Sequence, residues 1–303
     1  MTNDIDQRVA VIGLGAMGGA MAATLRKAGW TVTGFDPSNS ARKNAESNGI
    51  STVSDLADLA GTPYIVLSLP SAKLVAITVP ELLKAPGTIS IVDTTTSEPE
   101  VSVAMDSLAR EKGASFVDAP VSGGKIGAST GTLSAFIGCA DEALIAAEPL
   151  LMCLTGGNYD HVGGPGSGNV VKLLNNVLAA TNLVAVGEAL AVANKYGINL
   201  GTAAASISGA SGGSRVSEQM YPSWILPGTH DSGFSLGLMA RDASLAIDIA
   251  RESGESPDLL ETVNKQWQVA LSRLGPNADF TEIARLVAPT ITTGQASNNS
   301  END

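Results

Sequence analysis

The chain has few of the residues that build metal sites or disulfide frameworks. Its 303 residues include two cysteines and two histidines. Cys139 and Cys153 show no CxxC spacing and have apolar neighbours in sequence, which favours reduced core thiols. His161 and His230 have no partner at metal or triad spacing. We therefore expect no bound metal and no redox chemistry at sulfur.

Positive charge is also scarce. The sequence has 18 Lys and Arg against 30 Asp and Glu, a net charge of -12, and no basic cluster offsets this balance locally. Such a surface repels a phosphate backbone. We expect no nucleic-acid partner.

Features of secreted and membrane proteins are missing as well. The amino terminus, MTNDIDQR, has no basic segment before an apolar stretch. The longest weakly polar stretch, residues 170–193, is interrupted by Lys172, Asn175, Asn176, Asn182 and Glu188, which makes it too polar for a lipid-facing span. These absences predict a cytoplasmic protein without a membrane anchor.

The order of predicted elements divides the chain in two. Short β-branched segments, from RVAVIG to TLSAFIG at 132–138, alternate with helical patterns and predict a parallel sheet with crossover helices. After the irregular YDHVGGPGSG only helices are predicted, at 168–196, 201–209, 213–220, 235–253, 256–273 and 279–286. A chain of this length exceeds the usual size of one core. We predict an α/β, Rossmann-type domain over 1–164, an all-α domain over 165–288, and a disordered polar tail over 289–303.

The helix over 168–196 is small or apolar on nearly every face. Such a helix is usually buried all round. We therefore expect it to form a core between domains or between subunits.

The turn from the first predicted strand into the first predicted helix contains GxGxxG. In a dinucleotide-binding fold the first glycine allows the tight turn, the second lets a pyrophosphate approach the backbone, and the third lets helix pack on strand. The pattern alone also fits a glycine-rich turn, but its place between strand and helix favours the cofactor. We assign cofactor binding to Gly13, Leu14, Gly15, Ala16, Met17 and Gly18.

Asp36 ends the next predicted strand, TVTGFD. A carboxylate there can accept hydrogen bonds from both ribose hydroxyls of an adenosine and would repel a 2'-phosphate, so we expect NAD. Two alternatives stay open. Asp36 can simply start a turn with Pro37, and Arg42 and Lys43 can accommodate the phosphate of NADP.

Further segments follow in order: DAPVSGG at 118–124, GPGSGNVVKLLNN at 164–176 and FSLGLMARDASLA at 234–246. With the glycine-rich loop, they resemble the β-hydroxyacid dehydrogenases, the group containing 3-hydroxyisobutyrate dehydrogenase and tartronate semialdehyde reductase, from about residue 8 to 286. The resemblance implies a Rossmann domain, a helical C-terminal domain, a nicotinamide cofactor, a small carboxylate-bearing substrate, and homodimers or homotetramers.

The resemblance also implies roles for single residues. The family's catalytic lysine falls on Lys172 and its substrate-binding asparagine on Asn176. Its substrate-carboxylate loop falls on Ser122, Gly123 and Gly124. Its cofactor contacts fall on Leu69, Pro70, Thr96 and Arg241.

The sequence departs from the family at several points. It has DTTT at 93–96 in place of the usual serine-threonine pair, Cys139 where a second glycine is common, and Arg241 where lysine is usual. A guanidinium fork and an ammonium group are not equivalent, so Arg241 changes the chemistry of the contact that the resemblance implies at the nicotinamide side.

The chemistry of Lys172 can be argued from the residues themselves. Lys172 and Asn176 are one helical turn apart and project from one face of the predicted helix. An alcohol that gives up hydride also loses its hydroxyl proton, which a neutral lysine amine can take and later return. A lysine near a helix start is usually solvated, but the flanking segments NVV and LLNN are largely apolar, which is unusual around a solvated side chain. We assign proton transfer to Lys172 and hydrogen bonding to the substrate to Asn176.

Ser122 with the backbone amides of Gly123 and Gly124 can form a nest for a carboxylate, although a tight loop has the same composition. The sequence thus predicts an oxidoreductase that moves hydride between NAD and a small, 3-hydroxyisobutyrate-like β-hydroxyacid. The alternatives are a reductase of tartronate semialdehyde or another semialdehyde, an imine reductase-like relative, and a noncatalytic nucleotide-binding module. Lys172 together with SGG favours the first.

Overall fold

The computed structural model describes residues 6–292. By packing, the chain divides into two units, Met1–Lys172 and Leu173–Asp303. The division leaves the first turns of one long helix, predicted at 168–196, in the N-terminal unit.

The N-terminal unit is built on a nine-stranded sheet with the order β3-β2-β1-β4-β5-β6-β8-β7, in which β9 also pairs with β8. The strands are β1 Arg8–Ile12, β2 Thr31–Phe35, β3 Ser51–Val53, β4 Tyr64–Leu67, β5 Ser90–Asp93, β6 Ser115–Asp118, β7 Val121–Ser122, β8 Ser134–Gly138 and β9 Tyr159–Gly163. Its helices are α1 Ala16–Lys27, α2 Asn39–Ser47, α3 Ala72–Leu82, α4 Pro99–Glu111, α5 Gly124–Thr130 and α6 Asp141–Thr155, with a 3-10 turn at Leu56–Leu59.

Successive side chains of the central strands point to opposite faces of the sheet, and each face has its own hydrophobic core. Val9 and Val11 of β1 face one side with α1 and α6, while Ala10 and Ile12 face the other side with α3 and α4. Because helices cover both faces, these strands are almost continuously apolar. The chain order reverses between β1 and β4, and in such sheets the crevice beyond the carboxyl ends at that point is where ligands bind.

The predicted α/β class is confirmed, with differences at the edges of the sheet. Strands β3, β2, β1, β4, β5 and β6 are parallel, but β8 runs antiparallel to both β6 and β7. Strands β3 and β9 were not predicted. Strand β9 forms because β8 offers it a pairing edge, although its own sequence, YDHVG, carries no apolar alternation.

The C-terminal unit contains only helices as regular elements among the described residues. These are most of α7 Ser167–Lys195, then α8 Leu200–Ser208, α9 Leu236–Glu252, α10 Asp258–Leu274, α11 Ala284–Val287 and α12 Pro289–Thr292, with a π-helix at Val216–Ile225 and a 3-10 turn at Phe280–Ile283. Trp267 and Phe280 stack at 6.5 Å in its core.

Details of the helical unit differ from the sequence-based expectation. The helix predicted at 213–220 is a π-helix that begins later and continues to Ile225. Residues 289–292, predicted to be disordered, form the short helix α12. The rest of the predicted disordered tail, 293–303, lies outside the described residues.

Helix α7 is not buried on every face within one chain. The exposed fractions of Leu174, Leu178 and Val192 are 40%, 56% and 59%. An 18-residue window of α7 has a mean hydropathy of 1.5, and 44% of that window is buried. By length and composition alone α7 could cross a membrane, but core helices of soluble proteins meet the same two criteria.

Candidate active site

The glycine-rich loop lies between the carboxyl end of β1 and the start of α1. Gly15 is the N-terminal cap of α1, and no side chain caps the helix. The first backbone N–H groups of the helix are therefore directed at whatever lies beyond Gly15 and Ala16, both of which are exposed. This is the arrangement that binds a pyrophosphate.

The three glycines of the motif differ in the space around them. A Cβ on Gly13 would lie 2.2 Å from the Ser68 carbonyl oxygen, and one on Gly18 would lie 1.8 Å from the Gly13 carbonyl oxygen. A Cβ on Gly15 would meet no protein atom within 4 Å. The protein thus requires glycine at positions 13 and 18 for its own packing, whereas Gly15 leaves open space that suits a ligand.

Asp36 is part of the same loop structure. It follows β2, whose last carbonyl, that of Phe35, accepts the Gly13 N–H at 2.8 Å. The carboxylate of Asp36 accepts the Leu14 N–H at 2.8 Å and the Ser38 N–H at 2.8 Å. Arg42 donates to the carbonyl oxygens of Asp36 and Pro37 at 2.6 and 3.3 Å. The carboxylate of Asp36 is therefore fixed beside the glycine-rich loop.

The other predicted cofactor contacts follow the neighbouring strands β4 and β5. The Leu69 N–H donates to Thr95 Oγ1 at 3.1 Å, which joins the two strand ends. Pro70 is exposed, and Thr96 is half-buried. Both residues follow the carboxyl ends of strands that are parallel to β1, so they lie at the same edge of the sheet as the glycine-rich loop.

Asp93, the last residue of β5, is fully buried. Its Oδ1 accepts the Thr95 N–H at 2.9 Å, while its Oδ2 is buried without a hydrogen-bond partner. Burial raises the pKa of Asp93 to about 7, against the hydrogen bonds from Thr95, and the nearby Asp118 raises it further. Below about pH 7 the neutral carboxylic acid is thus the favoured form of Asp93 in the folded protein.

Asp93→Asn should stabilise the fold in a pH-dependent way. Since the pKa of Asp93 rises from 3.8 to about 7 on folding, the folded state retains a proton that the unfolded chain loses between those pH values. The stability of the wild type therefore falls across that window, and the asparagine variant should gain about 1 to 3 kcal/mol above it. Thermal melts of both proteins across the window measure the gain. A gain that is the same below the window as above it would contradict the assignment.

Lys172 and Ser122 are paired within the N-terminal unit. Lys172 lies in α7, is only 7% exposed, and its Nζ donates to Ser122 Oγ at 2.8 Å. Ser122 ends β7, and Gly123 and Gly124 follow it with φ angles of +118° and +59°. Glycine adopts such left-handed φ angles readily, and without a Cβ the backbone at both positions can be approached closely by an anion.

Asn176 lies in the C-terminal unit, beside a charged pair on α9. Its Nδ2 donates to Asp242 Oδ2 at 2.7 Å, and Asn175 Nδ2 donates to its Oδ1 at 3.2 Å. Arg241 donates from Nε and Nη2 to Asp242 Oδ1 at 2.9 and 2.6 Å. Asp242, whose side chain is 2% exposed, thus fixes the amide of Asn176 and the guanidinium of Arg241.

Sequence reasoning missed Asp242. It is adjacent to Arg241 in FSLGLMARDASLA, and it falls on the buried face of α9 with Met239, Ala243 and Ala246. An acidic residue on the apolar face of an amphipathic helix needs a polar partner, and that pattern could have identified it.

Family models match almost the whole described chain. Residues 8–163 match the NAD binding domain of 6-phosphogluconate dehydrogenase, and residues 166–287 match the model described as NAD-binding of NADP-dependent 3-hydroxyisobutyrate dehydrogenase.

Named relatives match over most of their length. The chain is 34% identical to 2-(hydroxymethyl)glutarate dehydrogenase of Eubacterium barkeri, over 81% of this chain and 83% of the relative. It is 33% identical to NAD-dependent L-serine dehydrogenase of Pseudomonas aeruginosa, over 94% and 99%. The structure of Mycobacterium tuberculosis 3-hydroxyisobutyrate dehydrogenase with L-serine superposes with a TM-score of 0.86 at 27% identity, covering 93% of this chain and 99% of that one.

Proposed function

The chain belongs to the β-hydroxyacid dehydrogenase family and is an NAD(P)-dependent dehydrogenase acting on CH–OH donors, and from this premise we propose that it oxidises a small β-hydroxyacid with Lys172 as the proton-transfer residue. The observation that carries the proposal is the hydrogen bond from Nζ of the buried Lys172 to Ser122 Oγ, next to the left-handed Gly123 and Gly124. Relatives named for L-serine and 3-hydroxyisobutyrate support a substrate of this size.

The cofactor is assigned to the loop and strand ends of the N-terminal unit. The glycine-rich loop, Asp36, Leu69, Pro70 and Thr96 would hold its adenosine and pyrophosphate side. Arg241 is proposed for the nicotinamide side. When bound, NAD accepts hydride from the carbinol carbon of the substrate.

The chain's own residues perform the remaining steps. In the N-terminal unit, we assign the substrate carboxylate to the amides of Gly123 and Gly124. In the C-terminal unit, Asp242 keeps the amide of Asn176 oriented, and we assign a hydrogen bond to the substrate to that amide. Lys172 takes the hydroxyl proton during oxidation and returns it during reduction. Ser122 Oγ accepts an N–H of Lys172, which directs the amine lone pair away from the serine.

A substrate panel tests the proposal. We expect purified protein to reduce NAD with at least one of 3-hydroxyisobutyrate, L-serine, glycerate, threonate and 4-hydroxybutyrate, or to oxidise NADH with tartronate semialdehyde. Turnover of a cyclic imine without oxidation of any hydroxyacid would favour the imine reductase alternative. Binding of NADH without any turnover would favour the noncatalytic module.

We propose NAD as the preferred cofactor, since Asp36 is held in place by two backbone amides while Arg42 is occupied by backbone carbonyls. We expect kcat/KM for NAD to exceed that for NADP by at least about tenfold, or about 1.4 kcal/mol. Asp36→Ala should narrow the difference, because the repulsion of a 2'-phosphate is removed. Steady-state kinetics with both cofactors measure the ratio, and an equal or reversed ratio in the wild type would refute the assignment.

We also propose a homo-oligomer, dimer or larger, formed through the exposed face of α7. Exposed Leu174, Leu178, Ala185, Ala189 and Val192 recur at helical spacing and form one apolar stripe. A second copy is the partner that fits, because most oligomers of soluble proteins pair identical surfaces.

Light scattering should therefore show at least a dimer, and Leu178→Glu should shift it toward monomer. Lys195→Glu is a control for charge, since it introduces the same acidic side chain at an exposed residue at the end of the same helix that is already charged in the wild type. A fully active wild-type monomer at micromolar concentration would contradict the proposed oligomer.

We also propose a cytoplasmic location, because the free thiols of Cys139 and Cys153 fit a reducing compartment.

A further inference from the structure

Asp118, the last residue of β6, is buried at the start of α7 within the N-terminal unit. Its Oδ1 accepts the Gly166 N–H at 2.7 Å, and its Oδ2 accepts the Asn169 N–H at 3.1 Å. One carboxylate thus satisfies two of the backbone donors that a helix start leaves without partners. Burial raises the pKa of Asp118 to about 6, while the amides of Gly166, Asn169 and Gly168 favour the charged form.

Asn169 connects the same helical turn to a second part of the sheet edge. Its side chain is completely buried. Its Oδ1 accepts the Ser97 N–H at 2.9 Å, and its Nδ2 donates to Ser97 Oγ and Ser102 Oγ at 3.3 and 3.1 Å. The first turn of α7 is therefore fixed to the segment after β5 and to helix α4 as well as to β6.

Close backbone packing also surrounds this turn. A Cβ on Gly168 would lie 2.4 Å from the Phe136 carbonyl oxygen, and one on Gly138 would lie 2.6 Å from the Gly168 nitrogen. The helix start lies directly against β8, because both positions lack side chains.

Lys172 follows this turn by one turn of helix, and Ser122 follows Asp118 by four residues of chain. The segment 118–122 therefore fixes Lys172 at two points: Asp118 holds the helix that carries it, and Ser122 accepts a hydrogen bond from its Nζ. A displacement of the helix start would change the position of the amine. Reaction rates fall steeply when a reacting group is displaced from its productive position.

We propose that Asp118 and Asn169 are positioning residues that hold Lys172 where its amine can exchange a proton with the substrate. This inference rests on the proposed function of Lys172. A purely structural role would predict a loss of stability alone, whereas a positioning role predicts a loss of kcat and a displaced pH profile at temperatures where the variant is fully folded.

The test compares Asp118→Asn and Asn169→Ala with the wild type. An asparagine amide at position 118 would point its NH₂ group at one of the two backbone N–H donors, so one of the two bonds is lost. We expect kcat to fall by about tenfold, the rising limb of the kcat–pH profile for oxidation to shift, and the Kd for NADH to stay within about twofold. Hydrogen exchange of the peptide covering residues 164–172 should become faster in both variants, which reports loosening of the turn independently of activity.

Thr155→Val is the matched control. Thr155 is also buried in the N-terminal unit, and its hydroxyl makes helix-end hydrogen bonds to Leu151 and Gly157 at 2.7 and 3.2 Å. Thr155→Val should lower Tm by an amount similar to that in the Asp118 and Asn169 variants, while kcat and the rising pH limb stay unchanged. If Asp118→Asn does not fold, Asn169→Ala carries the same comparison.

The outcomes separate this inference from the proposed function. Unchanged kcat and pH limb in the folded Asp118 and Asn169 variants, with both lost in Lys172→Met, would overturn the positioning role and leave the function of Lys172 intact. An equal loss of kcat in Thr155→Val would show a general effect of stability and would also overturn it. Full activity in Lys172→Met would overturn the proposed function instead.

Discussion

Lys172→Met should lower kcat for hydroxyacid oxidation by about 10² to 10⁴-fold while the Kd for NADH stays within about twofold. Lys172 is a buried residue whose Nζ is hydrogen-bonded to Ser122, and in the mechanism we propose its removal leaves the substrate hydroxyl without a proton acceptor. Methionine keeps a similar length and an apolar stem, so the packing around α7 should survive. Steady-state kinetics and fluorescence titration of NADH separate chemistry from binding.

An unchanged melting temperature is the control for this variant. In the wild type, oxidation should rise with pH as the lysine loses its proton, and that limb should be absent from the residual activity of the variant. Near-full kcat with the same limb would mean that another group serves as the base, and the mechanism proposed for Lys172 would be wrong.

Gly15→Ala should weaken NADH binding by about ten- to a hundredfold without lowering Tm. The backbone at Gly15 has a φ of -65°, which alanine adopts freely, and the added Cβ meets no protein atom within 4 Å. The methyl group would instead occupy the space assigned to the pyrophosphate. Calorimetric titration of NADH and a thermal melt of the unliganded protein measure the two effects.

Gly18→Ala provides the contrast, since its Cβ would lie 1.8 Å from the Gly13 carbonyl oxygen. That variant should lose stability even without cofactor. If Gly15→Ala binds NADH as tightly as the wild type, the pyrophosphate does not lie against this loop.

The parts of the fold that could be predicted are those with strong local patterns. The apolar strands β1, β4, β5 and β6 and the long helices have their periodicity in the sequence, and the glycine-rich loop lies where a strand meets a helix. Strands β3 and β9 and the antiparallel direction of β8 depend on pairing partners that are distant in sequence, so no local pattern indicates them.

The site shows the same division. Lys172 and Ser122 are 50 residues apart, and their separate roles were assigned from a family resemblance, whereas their hydrogen bond appears only in the structure. The buried acids Asp118 and Asp242 have their partners on other elements. Asp118 accepts hydrogen bonds from the start of α7, and Asp242 on α9 accepts one from Asn176 on α7. A sequence shows that such an acid is present, but the tertiary structure decides which group it holds.

The transfer of hydride from a β-hydroxyacid to NAD is the central claim, and an isotopic label tests it most directly. The most active acid of the panel would be prepared with deuterium on the carbon that bears the hydroxyl, and the nucleotide product would be analysed by mass spectrometry. We expect the NADH formed to carry the deuterium and Lys172→Met to form it far more slowly. NADH without deuterium, or no NADH formed from any acid of the panel, would contradict the central claim.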